Sequence, residues 1–183
     1  MVRRDGYPPG VPCWVDTVQP DPQAAVNFYR GVFGWQFEDR MPADAPGRYF
    51  VARLGGRDVA AVSSQPEVGP PVPVWNTYIW VDDADDTAAL VRAAGGLVIT
   101  EPFDVVDAGR MAACTDPSGA VFCLWQAGTH RGAEAVNEPG AWNWSDLNTR
   151  DIDRAKAFYA SCSGGRPTRS TWGSASRPWC GSR

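Results

Sequence analysis

Seven side chains carry what chemistry this sequence can offer a small molecule: Trp14, Asp16, Asn76, Tyr78, Trp80, Cys123 and Trp125. They fall on three short runs rich in apolar and aromatic residues, Val11 to Val18, Val74 to Val81 and Val121 to Trp125. Each run reads as a β-strand, and alternate residues of a strand share a face. Lying side by side, the runs would aim all seven groups into one concavity. Flat rings with a few converging polar groups are the usual lining of a small-molecule pocket, and ring faces stack on planar ligands. Taken singly, each tryptophan is explained as well by core filling. The set is not, because Asp16 and Asn76 facing a closed core without partners would be costly.

Metal chemistry finds little support. Open catalytic sites for Zn, Fe, Mn or Ni use about three imidazole or carboxylate ligands. The single histidine, His130, lies beyond the last strand in a Gly-containing segment. One carboxylate beside Asn76 and a thiol is a poor ligand set, so no metal site and no cofactor are expected, and no catalytic residue is assigned. Cys123 could act as a nucleophile, but no histidine falls beside it in sequence, and a buried inert thiol explains it better. Arg48 and Arg53 flank a strand and could hold an anion or simply line a solvated edge. The run Asp82-Asp83-Ala84-Asp85-Asp86 is explained by helix capping rather than cation binding. Ser118 sits in a turn with no base in view.

The elements that position these groups repeat. Val11 to Val18 ends at Pro20 and Pro22, which cannot continue a central strand. Asp21 stands where an N-cap belongs, with Pro22 at the first helical position. Ala25, Phe28, Tyr29 and Val32 then make one apolar face and Gly34 closes the helix. Strands are expected at Gln36 to Asp39, Arg48 to Leu54 and Asp58 to Ser63, the last two joined by a Gly55-Gly56 hairpin. After a Pro-rich linker, residues 66–73, the order returns: a strand at Val74 to Val81, a helix ending at Gly95-Gly96, then strands at Leu97 to Glu101, Met111 to Thr115 and Val121 to Trp125. Asp116-Pro117-Ser118-Gly119 is the last turn. The chain thus reads as α+β: two β-α-β-β-β units, residues 11–65 and 74–127, forming an open, cup-shaped mixed sheet, preceded by an N-terminal extension, residues 1–10.

The chain has 183 residues, 44% hydrophobic, enough for a substantial core, and a formal charge of −4. That acidity argues against a nucleic-acid partner and against a basic membrane face. No apolar run approaches the roughly 20 residues that span a bilayer. The five cysteines are odd in number without metal-type Cys-x-x-Cys spacing, which fits a reduced, cytoplasmic setting. The expected partner is a small molecule, with a homodimer left open.

These motifs resemble a known family. A strand, then Asp21 followed by Phe28-Tyr29, then Phe33-Gly34-Trp35, and finally Asp116-Pro-Ser-Gly-Ala-Val-Phe-Cys-Leu-Trp-Gln126, are similar to the glyoxalase/bleomycin-resistance/dioxygenase (vicinal oxygen chelate) superfamily over residues 11–127. The resemblance implies a cup between paired units. It also implies a divalent ion at three strand positions, which fall here on Trp14, Asn76 and Cys123. Those residues depart from the family's His, Gln and Glu. Two functions follow as expectations: a metal-free module that binds a planar or aromatic ligand, or a lyase, dioxygenase or hydroxylase-like enzyme with a degenerate or truncated site.

Past a linker, residues 128–139, the opening recurs. Trp14, Asp16, Asp21, Ala25, Phe28 and Tyr29 return as Trp144, Asp146, Asp151, Ala155, Phe158 and Tyr159, at one constant offset. A second module is therefore expected to start at residues 140–160, with a strand over Ala141 to Asn148 and a helix after it. Where the first copy continues Val32-Phe33-Gly34-Trp35, the second reads Cys162-Ser163-Gly164-Gly165. A one-base slip in a GC-rich coding of those four residues restores Val-Phe-Gly-Trp. Residues 161–183 are accordingly expected to be a frameshifted, disordered tail.

Overall fold

In the computed structural model, which describes residues 3–65 and 72–162, the chain begins with strand β1 (Pro12–Gln19) and helix α1 (Pro22–Phe33). The Asp21 carboxylate accepts from Ala24 N at 2.9 Å, and Gly34 adopts the left-handed conformation that ends the helix. Strands β2 (Gln36–Asp39), β3 (Tyr49–Leu54) and β4 (Arg57–Ser64) complete the first unit. The second unit runs β5 (Val74–Trp80), α2 (Ala84–Ala93), β6 (Leu97–Val105), β7 (Gly109–Thr115) and β8 (Val121–Ala127). Its helix is capped by Asp83, whose carboxylate accepts from Asp86 N at 2.8 Å.

All eight strands join one mixed sheet in the order β2-β3-β4-β1-β5-β8-β7-β6. The units meet through the antiparallel β1–β5 pair, while β1–β4 and β5–β8 are parallel. This is the expected paired architecture. Its centre is built from the first strand of each unit, the strands that carry most of the candidate site.

The two faces of the sheet are filled differently. On the helix-bearing face, Val26 and Ala25 of α1 pack on Val62, and Ala84, Ala88 and Val91 of α2 pack on Ala112, Cys114 and Leu124. Val26, Val62, Val91 and Leu124 are essentially inaccessible, and each contributes on the order of 1.5–3 kcal/mol by leaving water. Among the described residues the opposite face carries no helix, and aromatic side chains fill it.

The strand expected over Ala141 to Asn148 needs correction, and the segments around it are seen in detail. First, the linker 128–139 packs against the module. It crosses one end of the sheet, with Ala133 N donating to Cys13 O at 2.8 Å and Glu134 N to Asp58 O at 2.7 Å. Residues 4–7 lie along it, Arg4 N donating to Glu134 O at 3.0 Å. Second, Ala141 to Asn148 forms no strand. A strand needs a ladder partner, and the described residues offer this segment none. It crosses the helix-bearing face instead, where Ser145 Oγ lies 3.3 Å from Thr77 Oγ1. Third, the second-copy helix does form, as α3 (Ile152–Cys162). It carries Ser161 and Cys162, which the frameshift reading assigns to the aberrant tail. Residues 163–183 and the linker residues 66–71 lie outside the described residues.

Candidate functional site

The strand registers bring the predicted groups to one face. Trp14 pairs with Tyr78 and Asp16 with Asn76 across β1–β5. Tyr78 pairs with Cys123 and Trp80 with Trp125 across β5–β8. Five of the seven, Trp14, Asn76, Tyr78, Cys123 and Trp125, gather around or beside the carboxylate of a sixth, Asp16. Trp80 lies toward the rim, 6.3 Å from the ring of Tyr7 and beneath the guanidinium of Arg131 at 5.5 Å.

Asp16 is the centre. Its Oδ1 accepts from Asn76 Nδ2 at 2.9 Å, and its Oδ2 accepts from the Tyr78 hydroxyl at 2.8 Å and the Tyr49 hydroxyl at 3.4 Å. Tyr49 in turn accepts from Trp14 Nε1 at 3.0 Å. Asp16 is 2% exposed, and no arginine, lysine or histidine forms an ion pair with it among the described residues. Burial raises its proton affinity, and the hydrogen bonds from Asn76, Tyr78 and Tyr49 oppose that rise only in part. Burial and the nearby carboxylate push both tyrosine hydroxyls well above their ordinary range. Burial first, and Asp16 second, do the same to the Cys123 thiol, so at neutral pH it is a protonated packing group rather than a nucleophile.

Asp16 and Asn76 are therefore not stranded polar groups. They satisfy each other across the central strand pair, which is how a closed aromatic interior tolerates them. The cup is filled in this conformation: Trp14, Cys123 and Trp125 are 2%, 4% and 5% exposed. Two surface concavities, of about 370 and 250 Å³, lie elsewhere. The larger is lined by Pro20, Ala24 and Phe28 at the start of α1, the smaller by Ala94 and Phe158 beside α3.

Sequence reasoning misses two members. Tyr49 links Trp14 to Asp16, and its place near the head of the strand-forming run Arg48 to Leu54 is the available signal. His130, beyond the last strand in sequence, sits with its ring edge-on to Trp14 at 4.5 Å and to Trp125 at 5.7 Å. Its carbonyl accepts from Trp125 Nε1 at 3.0 Å. Its Nε2 is buried without a hydrogen-bond partner, and burial lowers its proton affinity, which fits a neutral imidazole held between rings. No sequence pattern announces that, because the end of the sheet turns the chain back onto the cup.

The other candidates are accounted for locally. Arg53 pairs with Asp58 at 2.7 Å and Glu38 at 2.6 Å. Arg48 donates to the carbonyls of Pro42 and Ala43, both at 3.0 Å. In the acidic run, Asp83 caps α2 and Asp85 pairs with Arg110 at 2.7 Å.

A mixed sheet of two β-α-β-β-β units with a polar group at the centre of its bare face defines a class. The chain belongs to the Glyoxalase/Bleomycin resistance protein/Dioxygenase superfamily, whose model matches residues 14–124. It is 44% identical over 166 residues to CFP32 of Mycobacterium tuberculosis, provisionally named a glyoxylase, covering 90% of this chain and 64% of that one. It is 37% identical over 175 residues to the anthracycline biosynthesis protein DnrV of Streptomyces peucetius, covering 88% and 63%. The chain thus spans a little under two-thirds of the length of these curated relatives. Among solved structures, a methylmalonyl-CoA epimerase complex shares the fold at TM-score 0.50 and 15% identity, over 72% of this chain and 99% of that one. A mutant 4-hydroxymandelate synthase of Streptomyces coelicolor does so at TM-score 0.50 and 15% identity, over 69% and 41%.

The divalent ion that the family resemblance implies does not fit this face. Its three positions hold an indole, whose nitrogen only donates, an amide already engaged with Asp16, and a thiol that burial keeps protonated. Among the described residues no three His, Cys, Asp or Glu side chains gather as a ligand set.

Proposed function

We propose that this module binds a planar or aromatic small molecule without a metal, using Asp16 as the acceptor that orients it. The observation that carries the reading is a carboxylate held among Trp14, Tyr78, Trp125 and His130 with neutral donors alone around it. Its two oxygens have about four lone-pair sites, and three donors reach them. A ligand hydroxyl or N–H can take the remaining place or replace Tyr49, the longest of the three contacts. Because no cation pairs with Asp16 among the described residues, an anionic group placed against its carboxylate is disfavoured. The anthracycline biosynthesis name of the DnrV relative is consistent with a flat aromatic ligand. Because side chains fill the cup, entry requires the segment from Gly128 to Ala133 and Tyr7 to lift from the end of the sheet.

The test is a tryptophan-fluorescence titration with a panel of planar phenols and their methyl ethers, on protein whose metal content has been measured by mass spectrometry after loading with Ni, Zn, Fe or Mn and desalting. Saturable quenching by phenols in metal-free protein, weakened at least tenfold by Asp16→Ala, supports the reading. Stoichiometric metal retention that the same substitution abolishes would overturn it in favour of an enzyme. One observation favours that second reading: a carboxyl with raised proton affinity can serve as a general acid or base. On that reading Asp16→Asn abolishes turnover and leaves binding intact.

A further inference from the structure

The two units differ at one position behind their helices, and α3 exploits the difference. In each unit the helix ends at a left-handed glycine, Gly34 or Gly95, and one residue follows before the next strand. In the first unit that residue is Trp35. It is 5% exposed, packs among Val15, Ala52, Val59 and Ala60, and donates to Gly140 O at 2.6 Å. In the second unit it is Gly96, so no side chain fills the corresponding space from within.

Phe158 of α3 fills it from outside. A Cβ built on Gly96 would stand 2.9 Å from the Phe158 ring, 2.9 Å from Val91 and 2.5 Å from Thr115 O. Phe158 is 3% exposed and meets Phe122 edge-on at 6.1 Å. Tyr159 beside it packs on Phe122 at 5.5 Å, and its hydroxyl donates to the buried Asp116 carboxylate at 3.4 Å. The same Ala-x-x-Phe-Tyr pattern in α1 behaves differently. Ala25 is buried as Ala155 is, yet Phe28 is 62% exposed, and the space behind α1 is filled by Trp35.

We propose that the hole behind Gly96 is a docking site for an amphipathic helix with an aromatic anchor, and that it holds the start of a following module to the first. Gly96 is the specificity-determining residue: a glycine there accepts the anchor and a tryptophan excludes it. The partner is the opening helix of a second module of this same family, here α3, bound through Phe158 and steadied by Tyr159. The sheet to which α3 docks is not that of its own repeat, so the contact joins modules rather than completing one.

The experiment is hydrogen–deuterium exchange by mass spectrometry on the full chain, comparing wild type, Phe158→Ala, Phe158→Leu and Gly96→Trp. Phe158→Ala is expected to speed exchange of amides 155–162 at least tenfold while β5 and β8 keep their protection, and Phe158→Leu to restore most of it. Gly96→Trp, filling the space from within, is expected to release α3 in the same way. Unchanged exchange of 155–162 in Phe158→Ala would overturn the proposal, as would loss of protection spread evenly over β5, β8 and α3. Phe158→Ala changes no residue of the sheet, so the comparison decides the matter whether or not Gly96→Trp folds.

Discussion

The Tyr78 hydroxyl stands 2.8 Å from Oδ2 of Asp16, on the strand that the antiparallel register sets beside it. The contact turns a buried acid into the centre of a network, Trp14 to Tyr49 to Asp16 to Tyr78 and Asn76, that spans β1, β3 and β5. The same contact makes the acid's charge state a question of stability.

Asp16 has a folded-state proton affinity above its unfolded one, because burial outweighs its hydrogen bonds. For an acid raised in this way, the folded chain binds more protons, so its contribution is most favourable below about pH 3.9 and is lost as pH rises through the folded value. Asp16→Asn keeps an acceptor for Tyr78 and removes the charge, with Asn76 turning its amide to match. It is expected to raise the melting temperature at pH 7 by about 2–4 °C, roughly 1 kcal/mol, with the gain shrinking toward pH 4. Scanning calorimetry across that range checks it, and a variant less stable than wild type at every pH would refute the charge argument.

Trp35→Ala should cost about 3–5 kcal/mol in urea unfolding. It empties the space among Ala52, Val59 and Ala60 and leaves Gly140 O without its donor at 2.6 Å. A loss under about 1 kcal/mol would mean that Phe33 and Phe37, whose rings lie 4.8 and 6.1 Å away, collapse into the gap and offset the usual cavity cost.

Gly132 is held at φ +85°, where a Cβ would stand 2.6 Å from Cys13 O and 2.9 Å from the Tyr7 ring. Gly132→Val adds strain of about 1–3 kcal/mol and pushes the segment off the end of the sheet. Expected results are a red-shifted tryptophan emission, as Trp14 and Trp125 meet water, and faster quenching by planar phenols. Unchanged emission and quenching rate would show that the segment does not gate the cup.

Of the four cysteines in the described residues, three are buried and Cys162 at the end of α3 is only partly so. Burial pushes the thiol of Cys13 up to about 12 and that of Cys114 up to about 11, and holds Cys123 higher still. Iodoacetamide at mildly alkaline pH is therefore expected to alkylate Cys162 before any of the other three. Early labelling of Cys123, read by peptide mass spectrometry, would contradict both its burial and its inertness.

Period, caps and turns make the secondary structure legible. Asp21, Pro22 and Gly34 mark α1, and the alternation of Trp14 with Asp16 and of Asn76 with Tyr78 and Trp80 places them on one face, because those signals act within a few residues. Register cannot be read in the same way. That Asp16 meets Asn76 and Tyr78 as donors, and so is satisfied rather than exposed, depends on which strands pair and with what offset. The return of His130 against Trp14 depends on a chain reversal with no local code. Nor does a repeated motif say what it will pack against: Phe28 and Phe158 occupy equivalent places in sequence, and only the residue behind each unit's helix, Trp35 or Gly96, decides where such a ring can be buried. The sequence alone determined the elements of the paired units and the face that the candidate groups share, since these follow from short-range periodicity. Tertiary structure alone decided which of those groups partner, which are closed from water and where the extra helix docks, since these follow from space left between elements far apart in the chain.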